Sequence, residues 1–306
     1  MRKLLIANRG EIAVRVARAC QVVGVPYVMV YSEADRDMPY LPTAERAVSI
    51  GPSAPAASYL NSQALITTAL GTGCDAIHPG YGFLSENADF AASCEGHGIT
   101  FVGPRSESIG TMGDKLAGRA CAMAAGVPVV PGHDVDLTDL PACLAAGRAI
   151  GFPLLIKASA GGGGRGMRVV DEESQLTDAL QQASAEAQAA FADARVYLER
   201  YINPVHHVEV QIFGDGDGKI IELGERECSV QRRHQKLVEE SPSPVISDAT
   251  RTAMITAATQ LGESMRYRSA GTVEFIVDSN TQAFYFIEMN TRIQVEHPVT
   301  EMVYHV

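Results

Sequence analysis

Short apolar runs alternate with one-faced amphipathic stretches along the N-terminal third of the chain. Residues 4–7 are apolar throughout, 11–23 place Ile12, Val16, Ala19, Cys20 and Val23 at helical spacing, and 27–31 are apolar again. Further strand-like runs fall at 47–50, 75–78 and 100–102, with helical stretches around 59–70 and 88–97 between them. A buried strand followed by a helix with one apolar face, repeated, predicts a parallel sheet covered by helices. Residues 1–103 therefore read as one α/β domain, closed by the break at Gly103-Pro104. A helical linker, 104–128, follows as a helix pair up to Ala125, punctuated by Gly126-Val127-Pro128.

The pattern then changes twice. Residues 129–201 carry strand runs at 154–157, 167–170 and 196–200, and a long helix on Leu176, Ala179, Leu180, Ala183, Ala187 and Phe191. Asp171-Glu172-Glu173 suit that helix's N-terminal dipole. From 202 to 306 the character becomes antiparallel, with strands expected at 207–213, 219–226, 271–277 and 284–290. The fold class is thus α/β joined to α+β, without internal repeat or low-complexity tract.

Composition narrows the class. The 306 residues are 46% hydrophobic and 20% charged, an ordinary globular balance long enough for two or three domains. A formal charge of -11 argues against sequence-independent nucleic-acid binding, which needs a basic surface. The apolar start turns polar at Asn8-Arg9, too short for a signal or membrane segment, so a cytoplasmic address is expected and no membrane partner. Six scattered cysteines form no C-x-x-C pair; Cys228, inside a charged segment, reads as a packed thiol before a catalytic one.

Two stretches carry chemistry. Residues 157–166 contain a formal G-x-G-x-x-G at Gly161, Gly163 and Gly166, but a strand follows where the dinucleotide fingerprint must open a helix. A strand, a glycine hairpin and a second strand would instead make a flap closing over phosphates, with Lys157 beside it. The second stretch is 288–296. Extended throughout, it would set Glu288, Asn290, Arg292, Gln294 and Glu296 on one side. A turn near Thr281 opposes Glu274 to Glu288 on a face expected to carry Ile276, Phe284 and Phe286. Opposed carboxylates on an apolar face call for a cation between them, and oxygen ligands favour Mg2+ or Mn2+ with phosphate and water.

The long motifs at 112–115, 157–166, 225–236 and 288–300, with 7–13 and 78–87, strongly resemble the biotin carboxylases over the whole chain. The resemblance implies an ATP-grasp fold: a Rossmann-like first domain, a small lid, and a third domain facing it across the nucleotide. It implies that Lys115 and Lys157 contact ATP phosphates, that Gly163, Gly164 and Met167 belong to the closing loop, and that Glu199, Arg200 and Ile202 hold adenine, in good part through backbone. His207, Gln231, His234 and Ile276 become nucleotide-side contacts, and Glu274, Glu288 and Asn290 ligands to two Mg2+ or Mn2+ ions. Lys236, Arg292, Gln294 and Val295 become the bicarbonate pocket, Glu296 its general base, and Tyr81-Gly82 with Gln294 the place of the biotin ring.

The implied reaction is ATP-dependent carboxylation of biotin on a carrier protein or domain, through carboxyphosphate. The parent could be a subunit of acetyl-CoA carboxylase, as in fatty acid biosynthesis, or the first domain of a larger acyl-CoA, pyruvate or urea carboxylase. Family members continue well past the equivalent of Val306, where a helix is just beginning, so the third domain is expected to be incomplete and the family's homodimer in doubt for this chain. Alternatives are a catalytically silent ATP-binding fragment and another ATP-grasp ligase, which would lack the run from Arg292 to Pro298.

Overall fold

In the computed structural model, which describes residues 1–160, 167–233 and 235–306, the alternating N-terminal pattern folds as a parallel sheet. Its strands are β1 (Leu4–Ile6), β2 (Tyr27–Tyr31), β3 (Arg46–Ser49), β4 (Ala76–His78) and β5 (Thr100–Phe101), in the order β3-β2-β1-β4-β5. Leu5, Val28, Val30 and Ile77 pack against α2 (Ser62–Gly71) and α3 (Ala88–Gly96), while Leu4, Ile6, Tyr27 and Met29 pack against α1 (Gly10–Val23). Both faces are covered, which is why these strands read as continuous apolar runs.

The chain changes direction across the sheet between β1 and β4, and their carboxyl ends frame a crevice. Asn8 spans it, donating from Nδ2 to the carbonyls of Pro79 and Tyr81 at 2.6 and 2.8 Å. Gly80 is required there: its φ is +65°, and a Cβ would lie 2.8 Å from the Asn8 amide nitrogen and 2.9 Å from Ile12. The helix pair is α4 (Ser106–Gly113) and α5 (Lys115–Ala124); Asp114 between them caps α5 by accepting from the amides of Leu116 and Ala117.

A four-stranded antiparallel sheet follows: β6 (Gly132–Asp134), β7 (Leu154–Ala158), β8 (Arg168–Val170) and β9 (Val196–Arg200), ordered β6-β9-β7-β8. Helices α6 (Leu140–Ile150) and α7 (Leu176–Phe191) cover one face through Leu176, Leu180 and Cys143 on Leu154, Ile156 and Leu198. Strand β6 and helix α6 are additions to the sequence reading, β6 being too short and polar to show a period.

The third sheet is antiparallel and five-stranded: β10 (Val205–Asp215), β11 (Ile220–Arg232), β12 (Gln235–Glu240), β13 (Arg268–Asp278) and β14 (Phe284–Asn290), ordered β12-β11-β10-β13-β14. Helix α8 (Asp248–Ser264) packs Met254, Ala258 and Leu261 on Val208, Val210, Ile212, Phe275 and Val277. The other face is free to carry polar groups. Helix α9 (His297–Tyr304) crosses near β11. No described helix is long and apolar enough to cross a membrane.

Two expectations need correction. The polar row from Glu288 to Glu296 is not one extended strand: β14 ends at Asn290, and the chain turns so that Glu296 precedes the first residue of α9 in helical backbone conformation. Nor do Phe284 and Phe286 share a face with Glu288. Glu274 pairs with Glu288 as expected, but the register then shifts so that Phe275 opposes Phe286 and Val277 opposes Phe284. The extra residue of this bulge reverses the parity and sends both aromatics into the core against α8.

His78 ends β4, accepting at Nδ1 from the Gly80 amide at 2.9 Å; burial, with some help from positive Arg15, pushes its pKa down to about 4. The folded value lies below the unfolded one, so the neutral ring's contribution is present at neutral pH and lost as pH falls from 6.5 towards about 4. Over that window urea unfolding of the wild type should lose roughly 2 kcal/mol more than that of His78→Asn. Parallel curves for the two proteins would show that this histidine does not stay neutral in the fold.

Candidate active site

Cross-strand pairing builds the site. Arg226 of β11 lies opposite Glu209 of β10, Glu209 opposite Glu274 of β13, and Glu274 opposite Glu288 of β14. Three carboxylates thus stand side by side across neighbouring strands, an arrangement that repels unless cations intervene. At one end they do. Arg226 is fully buried and donates from Nε to Glu209 at 2.7 Å, from Nη1 to Gln211 at 3.0 Å and Thr300 at 2.8 Å, and from Nη2 to Thr272 at 3.4 Å and Gln294 at 2.6 Å. All five guanidinium N–H groups are accounted for.

Lys236, on the edge strand β12, supplies the second cation. Its ammonium lies 3.0 Å from Glu274 and 2.9 Å from Glu296, and donates a short hydrogen bond to Glu209. Burial opposes its charge, but Glu274, Glu209 and Glu296 together outweigh that and hold its pKa well above the usual lysine range. Glu274 is subject to the same balance: burial raises it, yet His207 at 2.7 Å and Lys236 keep it ionised. His207 in turn is raised against its burial by Glu274. Its other ring nitrogen meets the Gln231 side chain at 2.7 Å.

Towards Glu288 the compensation thins out. Burial and the neighbouring Glu274 push its pKa up, and Lys115 approaches only to 3.9 Å. Glu239, beyond Lys236, is pushed up to about 7 by burial, Glu296 and Glu209. The surroundings are therefore short of positive charge. Glu274, Glu288 and Asn290 form an all-oxygen donor set at this end, which fits a hard divalent cation. Two other clusters with metal-like spacing lie among the described residues, one of His207, Glu209 and Glu274 and one of Glu209, Cys228 and Glu239; the first already has the Lys236 ammonium against its carboxylates and reads as an ion-pair network.

Above this row lies a cavity of about 850 Å³ between the second and third sheets. Lys115 and Lys157 enter it, and Met167, Glu199, Arg200, Ile202, His207, Gln231 and Ile276 also line it. Burial and the nearby Lys157 act to lower the Lys115 pKa, and the net shift is downward. Lys157 is tied to Glu199 at 2.5 Å, and Arg119 stands 3.5 Å from the same carboxylate. The Glu199 side chain is thus held between two cations. The cavity continues past Glu274, Glu288 and Asn290 to Lys236, Arg292, Gln294 and Glu296.

Tyr81 and Val295 lie outside it. They line an adjoining cavity of about 560 Å³ that shares Gln294 with the first, and Gly82 is on the wall of neither. Gly163, Gly164 and the rest of residues 161–166, with His234, lie outside the described residues. Cys228 is fully buried and its thiol is raised by burial, as a packed thiol should be.

Sequence reading missed five contributors. Glu209 and Gln211 alternate with Val208, Val210 and Ile212, a period of two that could have marked them. Arg226 and Arg119 gave no such signal. Nor did Glu86, which reaches over from the loop between β4 and α3 and accepts from Arg292 Nε at 2.7 Å.

Two antiparallel sheets facing each other across a cavity with lysines at one end and carboxylates at the other define an ATP-grasp enzyme. The family model described as biotin carboxylase, N-terminal domain, matches residues 1–109, and that described as carbamoyl-phosphate synthase L chain, ATP binding domain, matches 114–305. The chain is 52% identical to biotin carboxylase 1 of Bacillus subtilis (strain 168), over 99% of its own length and 67% of the relative's. It matches the crystal structure of a biotin carboxylase-beta-gamma-ATP complex from Campylobacter jejuni with a TM-score of 0.94 and 48% identity, over 100% of this chain and 68% of that one. A third match is the biotin carboxylase domain dimer of 2-oxoglutarate carboxylase from Hydrogenobacter thermophilus, in complex with MgADP, ADP and bicarbonate: TM-score 0.92, 47% identity, 100% of this chain and 67% of that one. The chain, which spans about two thirds of these proteins, belongs to the biotin carboxylase family and is a ligase that carboxylates biotin at the expense of ATP.

Arg226→Ala would leave Glu209 buried with only Lys236 beside it, and should cost roughly 3–5 kcal/mol in urea unfolding. A loss under about 1 kcal/mol, the scale of a surface pair, would show that the buried guanidinium does not hold this row together.

Proposed function

We propose that the row of carboxylates divides into two stations of one reaction, a metal–phosphate station at Glu274, Glu288 and Asn290 and a bicarbonate station at Lys236, Arg292, Gln294 and Glu296. The observation that carries this reading is the Lys236 ammonium, which touches Glu274 of the first station and Glu296 of the second within 3.0 and 2.9 Å. ATP enters with its phosphates towards Lys115 and Lys157 and its base towards Glu199, Arg200 and Ile202. A divalent ion, or two, held by Glu274, Glu288 and Asn290 would supply charge neutralisation for the γ-phosphoryl group.

Bicarbonate binds where Lys236, the Arg292 guanidinium and the Gln294 amide converge. Because Arg226 Nη2 occupies Gln294 Oε1, the Gln294 Nε2 group points the other way, towards Glu274, with the nitrogen 3.4 Å from Glu274 Oε1. Gln294 therefore presents a donor to an anion. Glu296 takes the bicarbonate proton, and the freed oxygen attacks the γ-phosphorus. The products are ADP and carboxyphosphate, which breaks into carbon dioxide and phosphate. Phosphate accepts the ureido proton of biotin, and the ureido nitrogen attacks carbon dioxide.

The biotin ring approaches from the adjoining cavity, past Tyr81 and Val295 to Gln294, the residue common to both. Biotin arrives on a carrier protein or domain, in the cytoplasm. Arg292→Ala should lower bicarbonate-dependent ADP release on the order of 100-fold while MgATP still raises the melting temperature. A variant that kept its bicarbonate-dependent ADP release would refute the bicarbonate station.

A further inference from the structure

Arg292 does not stand alone in its station. Glu86 reaches it from the first domain, and its two carboxylate oxygens bind different groups. Oε1 accepts from the backbone amide of Thr291 at 3.2 Å, and Oε2 accepts from Arg292 Nε at 2.7 Å. One carboxylate thus fixes both the backbone entering Arg292 and the inner end of its guanidinium. Glu86 is itself held by its loop, where the Ser85 amide bonds to Gly82 at 3.0 Å and Asn87 caps α3 through the Phe90 amide at 2.7 Å. Beyond Nε, Arg292 Nη2 donates to Asn290 Oδ1 at 3.1 Å and Nη1 to the Ile293 carbonyl at 3.3 Å.

A guanidinium can present a carboxylate-like anion with either of two donor pairs, Nε with Nη2 or Nη1 with Nη2. With Nε occupied by Glu86 and each terminal nitrogen using one hydrogen, one N–H remains on Nη1 and one on Nη2. We infer that Glu86 is a positioning residue for the reaction: by taking the Nε edge it obliges Arg292 to meet bicarbonate with its terminal pair. This rests on Arg292 being the bicarbonate anchor. Stability alone does not explain the pair, since the Glu86 side chain is 40% exposed and such pairs contribute little to folding.

Two physical effects of Glu86 oppose each other, and this makes the inference testable. As a negative charge beside the anion site it should weaken bicarbonate binding; as an orienting acceptor it should strengthen it. Calorimetric titration of bicarbonate into the MgADP-saturated protein compares wild type, Glu86→Gln, Arg292→Ala and the double variant. If orientation dominates, Glu86→Gln weakens bicarbonate roughly tenfold, the size of one charge-assisted hydrogen bond, with MgADP affinity and urea midpoint unchanged. In the Arg292→Ala background the same change has no further effect. Unchanged or tighter binding in Glu86→Gln, or an equal loss in both backgrounds, overturns the inference. Bicarbonate affinity that Arg292→Ala leaves intact, or no bicarbonate binding by the wild type, overturns the assignment of Arg292 itself and this inference with it; a loss in Arg292→Ala without one in Glu86→Gln overturns only the role of Glu86.

Discussion

Three carboxylates on three adjacent strands, Glu209, Glu274 and Glu288, are the constraint around which the third sheet is organised. Side chains directly opposite on one face are close enough for like charges to cost stability, and here two of the three are buried. The fold answers with two cations that reach the row from β11 and β12, Arg226 and Lys236. The bonds of Arg226 run on to Gln294 and Thr300, and so fix the turn after β14 and the start of α9. The elements that bear the polar groups are therefore positioned by the charge balance itself. At Glu288 the balance is left incomplete, and on the proposed reading a divalent ion with phosphate would complete it.

The same logic couples the domains. Lys115 begins α5 because Asp114 caps that helix, and its ammonium is thereby delivered towards Glu288. Lys157 arrives from the second sheet, tied to Glu199. Glu86 arrives from the first, where Asn8 and Gly80 shape the crevice at the point where the strand order reverses. Each domain contributes charged groups to a cavity that none of them lines alone.

Much of this was legible in the sequence. The continuous apolar strands of the first domain, the one-faced helix ending at Phe191 and the opposition of Glu274 to Glu288 follow from periodicity and one turn. What was not legible has definite causes. The bulge beside Glu274 leaves no mark in residue type, so the side taken by Phe284 and Phe286 was reversed. The polar alternation from Glu288 to Glu296 fits a strand, yet Glu296 converges with Lys236 because the chain turns into a helix, a tertiary choice that local period cannot express. Strand β12 shows no alternation, since its apolar residues Leu237 and Val238 are adjacent and both exposed, and only its place at the sheet edge beside β11 makes it a strand. Glu86 and Arg226 act through partners distant in sequence, which spacing does not reveal.

The proposed reaction requires a carboxylate row neutralised by Lys236 at one end and open to a metal ion at the other. Diffraction from crystals grown with ADP and Mn2+, recorded for the anomalous signal of manganese, tests this directly. The peak should lie between the Glu274 and Glu288 carboxylates beside Asn290, with the Lys236 ammonium still against Glu209 and Glu296. Manganese bound instead among His207, Glu209 and Glu274, with Lys236 displaced, would contradict it.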